Sequence, residues 1–261
     1  MINDYLQVAT IAGNDSDGSA GMPADLHAFF ARDVYGMGIL TSAVAGNSYN
    51  IEAAEIMPAS FIKKQFKMLA KDFQLRAVKT GMLANAEVIN AVADSLEEYD
   101  FGQIVIDPVI ITKHGAELLE AEAYETFIKR LIPKADVITP NFYEAQKLTG
   151  LPLDTEDSIK EAAQLLQQMG AKNVLIKGKH DSATQAEVND YLLLADGQEF
   201  WYSERYLATN RLNGTGDTLS AVITAEIAKG KPIEQAVMIA KKFVHHAILE
   251  EIEVGHQFGP I

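Results

Sequence analysis

No cysteine occurs among these 261 residues, which excludes disulfides, thiolate metal sites and cysteine nucleophiles together. That absence is compatible with a reducing compartment, and a cytoplasmic location is expected. Positive charge is scarce: 22 Lys and Arg stand against 36 Asp and Glu, for a net charge of −14. The average field repels nucleic acid and anionic membranes, so neither is expected as a partner, although a local basic spot can still hold a small anion. Long apolar runs are missing too, and none approaches the roughly 20 residues that span a bilayer. The opening MINDYLQVATIAGND has no basic region before its short apolar run, so it reads as a first strand rather than a secretory leader. Neither a GxxxxGK[ST] P-loop nor a GxGxxG opening an early helix is present, and the six histidines show no HExxH pairing. His245 and His246 fall in an amphipathic helical segment and read as surface or packing residues.

What is present is core material, 48% apolar, in a pattern of one α/β domain over 1–261. YLQVATIAG, MGILTSAVAG, RAVKTG, QIVIDPVII, ADVITPN and NVLIKG read as strands. Several are apolar on both faces, as in a mainly parallel sheet covered by helices on both sides. Helical spacing joins Phe61, Ile62, Phe66, Leu69 and Phe73, and again Ala162, Leu165, Leu166 and Met169. YLLLADG and QEFWYSE, with a turn at Asp196-Gly197, predict a late antiparallel hairpin. Two final helices are expected from about Thr215 and Ile233, separated by Gly230. GKHDSATQAEVND, Gly178 to Asp190, is the most polar segment and is read as a flap.

Ligands of such folds gather outside the carboxyl ends of the strands. There the chain places Asn14-Asp15-Ser16-Asp17-Gly18, Lys79-Thr80-Gly81, Asp107-Pro108, Pro140-Asn141 with Glu144 beyond, and Lys177-Gly178. Solvated turns explain any one of these; five together point to a site. In RLNGTGDTLSAVI, Gly214, Thr215 and Gly216 precede an acid, Asp217, where a helix begins. Unpaired amides at a helix start bind anions, and glycines let a phosphate approach them. A carboxylate beside an anion site suits removal of a proton from an attacking hydroxyl as a phosphoryl group arrives. The alternative is a first-turn acid favoured by the helix dipole.

In order along the chain, TIAGNDSDGSAGMPADLHAF, VYGMGILTSAVAGNS, VKTGML, VIDPVI, ITPNFYEA, VLIKGKH and NGTGDTLSAVITAEIAKG resemble the ribokinase-like vitamin kinases. The nearer likeness is to the branch that phosphorylates pyridoxal or pyridoxine and hydroxymethylpyrimidine. The resemblance implies a three-layer ribokinase-like sandwich, ATP with Mg2+, a pyridine or pyrimidine alcohol as acceptor, and a homodimer. Asp217 would be the catalytic base, with the amides of Gly214, Thr215, Gly216 and Asp217 as an anion hole. Lys177, Asn141, Asp107 and Thr215 would meet the nucleotide, with Lys177 neutralising phosphates and Asp107 otherwise a turn residue. Glu144 would help hold magnesium, directly or through water; otherwise it is an exposed helix acid. Gly13, Asp25, Gly46 and Asn47 would meet the acceptor, Asp25 either bonding to the ring or capping its own helix.

The chain departs from the hydroxymethylpyrimidine branch at GTGD, usually GTGC, and at Gly46, often glutamine. Thr112 lies near where pyridoxal kinases of this type can carry a cysteine. With a C-terminal GHQFGPI closer to pyridoxine kinases, the expected acceptor is a B6 vitamer. The alternatives are hydroxymethylpyrimidine or its monophosphate, and, in another class, a vitamin-binding regulatory protein without turnover.

Overall fold

The structure, a computed structural model, describes residues 4–111, 119–180 and 185–261. Its centre is a nine-stranded sheet in the order β3-β2-β1-β4-β5-β6-β7-β8-β9. The strands are β1 (Gln7–Asp15), β2 (Tyr35–Gly46), β3 (Ile51–Ile56), β4 (Leu75–Thr80), β5 (Gln103–Ile106), β6 (Val137–Ile138), β7 (Asn173–Ile176), β8 (Glu187–Leu193) and β9 (Glu199–Arg205). From β2 to β7 neighbouring strands are parallel; β3, β8 and β9 pair antiparallel at the two edges.

Period-two alternation sorts each strand between two cores. Val8, Ala77, Val105, Val137 and Leu175 point to one side, against α1 (Gly21–Ala31), α7 (Thr215–Ala228) and α8 (Ile233–Leu249). Ala9, Val78, Ile106, Ile138 and Val174 point to the other. That second core is closed by α2 (Ala59–Ala70), α3 (Ala86–Glu98), α4 (Tyr124–Arg130), α5 (Phe142–Thr149) and α6 (Glu156–Gln168). The expected three-layer ribokinase-like sandwich with its late hairpin is therefore present. Among the described residues no helix is long and apolar enough to cross a membrane.

Several boundaries move. QIVIDPVII is a strand only to Ile106, because Val109 takes a left-handed φ of 46° that breaks the extended chain. Phe61, placed on the buried face of α2, is 48% exposed, whereas Ile62 and Phe66 are fully buried. The Gly178–Asp190 flap shrinks, since Glu187 to Asp190 belong to β8 and Asp190 accepts a hydrogen bond from the Gly178 amide. Residues 181–184 of it, and Thr112, lie outside the described residues.

β1 is flanked by β2 on one side and β4 on the other, so the chain order reverses between β1 and β4. Crevices form at the carboxyl ends of strands around such a switch point. There α7 arrives end-on: it packs on α1 and across β1, β4 and β5.

Candidate active site

A cavity of about 640 Å³ opens at that end of the sheet, within the range of small-molecule sites. The polar strand ends predicted from sequence converge on it. Asp107 follows β5 and is buried; its Oδ1 accepts from Lys177 Nζ at 2.9 Å and Thr139 Oγ1 at 3.0 Å, and its Oδ2 from Ser220 Oγ at 3.3 Å. Lys177 follows β7. Burial pulls its pKa down, but Asp107, Glu144 and Asp217 outweigh that, so the ammonium ends above its ordinary range.

Asn141 and Glu144 form a capping box at the start of α5: Asn141 Oδ1 accepts from the Glu144 amide, and Glu144 Oε2 from the Asn141 amide. Glu144 Oε1 also accepts from the Ile110 amide. Glu144 is only 2% exposed, so it is not the solvated helix acid that was its alternative. Burial and the nearby Asp107 push its pKa up to about 7 against Lys177 and the two amides.

The GTGD turn builds the opposite wall. Gly214 precedes α7 with φ 78°, which glycine adopts without strain, and its α-carbon hydrogen faces the Ser19 carbonyl in the β1–α1 turn. Thr218 N closes the first helical bond to the Gly214 carbonyl, and Thr215 N and Oγ1 both turn back to the Leu212 carbonyl. Of the four amides anticipated as an anion hole, that of Thr215 is spent on Leu212, while those of Gly214, Gly216 and Asp217 have no backbone acceptor among the described residues. The C-terminal segment braces this turn: Asn213 N donates to the Gly259 carbonyl, and Arg211 donates to the carbonyls of Ile252 and Val254. Asp217 is in the first turn of α7, its side chain 19% exposed at the cavity wall.

The acceptor-side expectations fare unevenly. Asn47 lines the cavity, though its Oδ1 accepts from the Tyr49 amide in a turn. Gly46 sits beside it, and a side chain there would point toward Asp15 Oδ1, 3.5 Å from its Cβ. Gly13 is packed under Ser42 and Met82 instead of facing the cavity. Asp25 is the clearest correction. It is 0% exposed, it does not cap α1, and its oxygens are taken by Thr10 Oγ1 at 2.6 Å and Lys79 Nζ at 2.5 Å. The bond to an acceptor ring expected of it has no face on the cavity from which to form. Three residues named only as strand-end polar groups prove more prominent. Asp15 and Asp17 line the cavity, and burial, then Asp17 and Asp217, raises the Asp15 pKa to about 6. Lys79 lies directly behind Asp217.

Among the described residues no cluster of three or more histidines or acids has the geometry of a metal cage. Magnesium keeps several waters and takes one or two carboxylates plus substrate phosphates. Asp107 and Glu144 fit that sparse pattern, for a metal that arrives with a triphosphate.

The chain matches the phosphomethylpyrimidine kinase family over residues 15–261. It belongs to that family. It is an ATP-dependent small-molecule kinase of the ribokinase-like vitamin-kinase branch. Relatives of known name refine the picture. The hydroxymethylpyrimidine/phosphomethylpyrimidine kinase of Haemophilus influenzae is 45% identical over 260 residues, 99% of this chain and 97% of its own. The phosphomethylpyrimidine kinase structure from Clostridium difficile superposes with a TM-score of 0.82 at 37% identity, covering 93% of this chain and 99% of that one. The Staphylococcus aureus pyridoxal kinase structure with AMP-PCP and pyridoxal gives 0.88 at 33% identity, covering 98% and 93%. The B6 vitamer expected as acceptor is thereby corrected. Relatives at 45% and 37% identity carry the pyrimidine name, while the pyridoxal kinase shares the fold at lower identity. The features that pointed to B6, Gly46 and the C-terminal GHQFGPI, are local, and the latter has the structural task of bracing the turn before α7.

Proposed function

We propose that this kinase transfers the γ-phosphoryl group of ATP to the hydroxymethyl oxygen of hydroxymethylpyrimidine, and in a second turnover to a terminal phosphate oxygen of its monophosphate to give the diphosphate, with ADP leaving each time. The carrying observation is a carboxylate, Asp217, at the open amide end of α7, in one cavity with the Lys177–Asp107 pair. Asp217 accepts the hydroxyl proton as the oxygen attacks phosphorus, while the amides of Gly216 and Asp217 stabilise charge on the moving group. Lys177, Asp107, Asn141 and Thr215 hold the polyphosphate, and the neighbouring Asn47 and the β1 turn hold the ring. Asp107 and Glu144 would hold magnesium, which would supply neutralisation of phosphate charge; this chain's residues contribute the base, the amides and the ammonium. A carboxylate at 217 makes a thiolate mechanism unnecessary. The homodimer, the cytoplasmic location and the single domain over 1–261 belong to the same proposal, and sedimentation velocity tests the first.

Release of ADP, followed in parallel with hydroxymethylpyrimidine, its monophosphate and pyridoxal, tests the assignment. The pyrimidines should give the highest kcat/KM. A higher value for pyridoxal removes the pyrimidine assignment, and no acceptor-dependent ADP release supports the non-catalytic binding protein instead. Asp217→Asn should keep ADP binding and lower turnover by roughly two or more orders of magnitude.

A further inference from the structure

Lys79 is fully buried near the carboxyl end of β4, and its register partner on β1 is Thr10. Its Nζ lies 2.5 Å from Asp25 Oδ1 and 3.8 Å from Asp217 Oδ1, so one ammonium bridges α1 and the first turn of α7. Thr10 Oγ1 donates to the other Asp25 oxygen at 2.6 Å. This network is shut off from the cavity, and Lys79 touches no substrate space. Asp217, in contrast, has a free side chain: among the described residues no hydrogen bond holds its carboxylate, and Lys79 is its only ion-pair partner. The charges that face it from the packed elements are Asp15 at the end of β1, Asp25 on α1, Lys79 on β4 and Lys177 after β7. Two of these repel it, and Lys177 is already engaged by Asp107 at 2.9 Å.

We propose that Lys79 is the positioning residue of the catalytic base: anchored by Asp25 and Thr10, its ammonium fixes the orientation of the Asp217 carboxylate toward the acceptor hydroxyl. The inference rests on the base assignment above. A buried ion pair is a poor device for stability alone, since apolar residues of like volume serve as well or better. Here the pair has a third member at the cavity wall. Burial pulls the Lys79 pKa down, but Asp25, Asp217 and Asp107 outweigh it, so the lysine remains a cation. Losing it leaves Asp217 repelled by Asp15 and Asp25, and free to adopt rotamers that miss the hydroxyl. A near-attack geometry is sensitive to displacements of about 1 Å, so the loss should appear in turnover.

The test is a double-mutant cycle on kcat with Lys79→Met, Asp217→Asn and both together. Lys79→Met should lower kcat by about tenfold or more, with KM for each substrate and the Kd for ADP changed by less than about threefold. In the Asp217→Asn background the same substitution should lower kcat by less than about threefold, because the group it positions is gone. Equal losses in both backgrounds show that Lys79 does not act through Asp217 and overturn the proposal, as does wild-type kcat for Lys79→Met. Near-normal turnover of Asp217→Asn alone instead refutes the base assignment, which keeps the two failures apart. If Lys79→Met does not fold, Asp25→Asn/Lys79→Met removes both buried charges and takes its place in the cycle, with the same outcomes deciding.

Discussion

An alanine at position 214 would carry its Cβ 2.3 Å from the Ser19 carbonyl oxygen and 3.3 Å from Ala24 Cβ. The first of these is a backbone atom that cannot rotate away. The position also holds φ at 78°, for which a residue with a Cβ loses about 1–2 kcal/mol. Adding about 1–3 kcal/mol for the forced overlap gives a destabilisation of about 2–5 kcal/mol. For a chain of this size, at about 2 °C per kcal/mol, that is a fall of about 4–10 °C in the thermal midpoint. Gly230→Ala is the control. Its φ is 82°, but nothing lies within 4 Å of the added carbon, so only the strain remains, about 2–4 °C. Gly216→Ala separates stability from function. Its Cβ would stand 3.4 Å from Lys177 Nζ and 3.8 Å from Asp107 Oδ2, with no positive φ to oppose it. The variant should melt like the wild type, yet raise KM for ATP by about tenfold, because the methyl covers the ammonium that phosphates approach. Scanning calorimetry and coupled ADP release give both readouts. Wild-type kinetics for Gly216→Ala would remove the polyphosphate from this wall, and a Gly214→Ala midpoint equal to that of Gly230→Ala would refute the overlap argument.

Asp15→Asn should change the pH dependence of stability. The folded pKa of Asp15 is raised from 3.8 to about 6, so the wild type loses stability as pH rises through that interval and the variant does not. The midpoint of the variant minus that of the wild type should grow by about 1–2 °C from pH 4 to 7 and then level off, the effect being kept small by solvent screening. Arg32→Met should cost about 1–3 kcal/mol without altering KM. It removes the guanidinium 2.7 Å from buried Glu226 and leaves Lys229 as the near partner. Burial acts against the Glu226 charge, but Lys229 and Arg32 hold its pKa below the ordinary value of 4.5, so the penalty should fade as pH falls below that ordinary value and through the lowered one.

The alternation of core faces was legible because strands such as Val8-Ala9 and Val105-Ile106 are buried on both sides and read as continuous apolar runs. β3 was not. All six residues of IEAAEI are exposed at the sheet edge, so its strand state comes from pairing with β2 and leaves no buried face in the pattern. The gathering of strand ends was also legible, since parallel strands place their carboxyl ends together. The direction of each side chain was not. Lys79 was visible as a polar residue closing RAV, but its partner Asp25 lies 54 positions away on α1 and meets it only through the tertiary fold. A lysine inside an apolar strand run is the signal that would have found it. Asp25 was misassigned for the same reason: its local sequence, ADL, carries no mark of whether the carboxylate meets a ring or an ammonium. The B6 expectation rested on two local features, Gly46 and GHQFGPI, which outweighed a likeness spread over the whole chain.

The charge of the cavity bears on how a strongly acidic protein accepts a polyanion. On the side built by the ends of β5 to β9 and α8, Lys177, Lys179, Arg205 and Lys241 are balanced by Asp107, Glu144, Asp190 and Glu204, several of them directly paired. On the β1 side Asp15, Asp17 and Asp217 line the wall, with the buried Lys79 behind Asp217. The field therefore runs from neutral to negative across the site, which fits the proposed nucleotide on the first side and the proposed pyrimidine alcohol on the second, and predicts weaker binding of its anionic monophosphate there. With that proposal, affinity for ATP would come from directed hydrogen bonds and from magnesium held near Asp107 and Glu144, with little from net attraction. Long-range attraction is what salt screens most effectively. Raising ionic strength from about 0.05 to 0.3 M at constant free magnesium should thus change KM for ATP by less than about threefold. A steep rise in KM over that range would show that unpaired positive charge dominates nucleotide binding, and that Lys177 and Lys241 leave their carboxylates before ATP arrives.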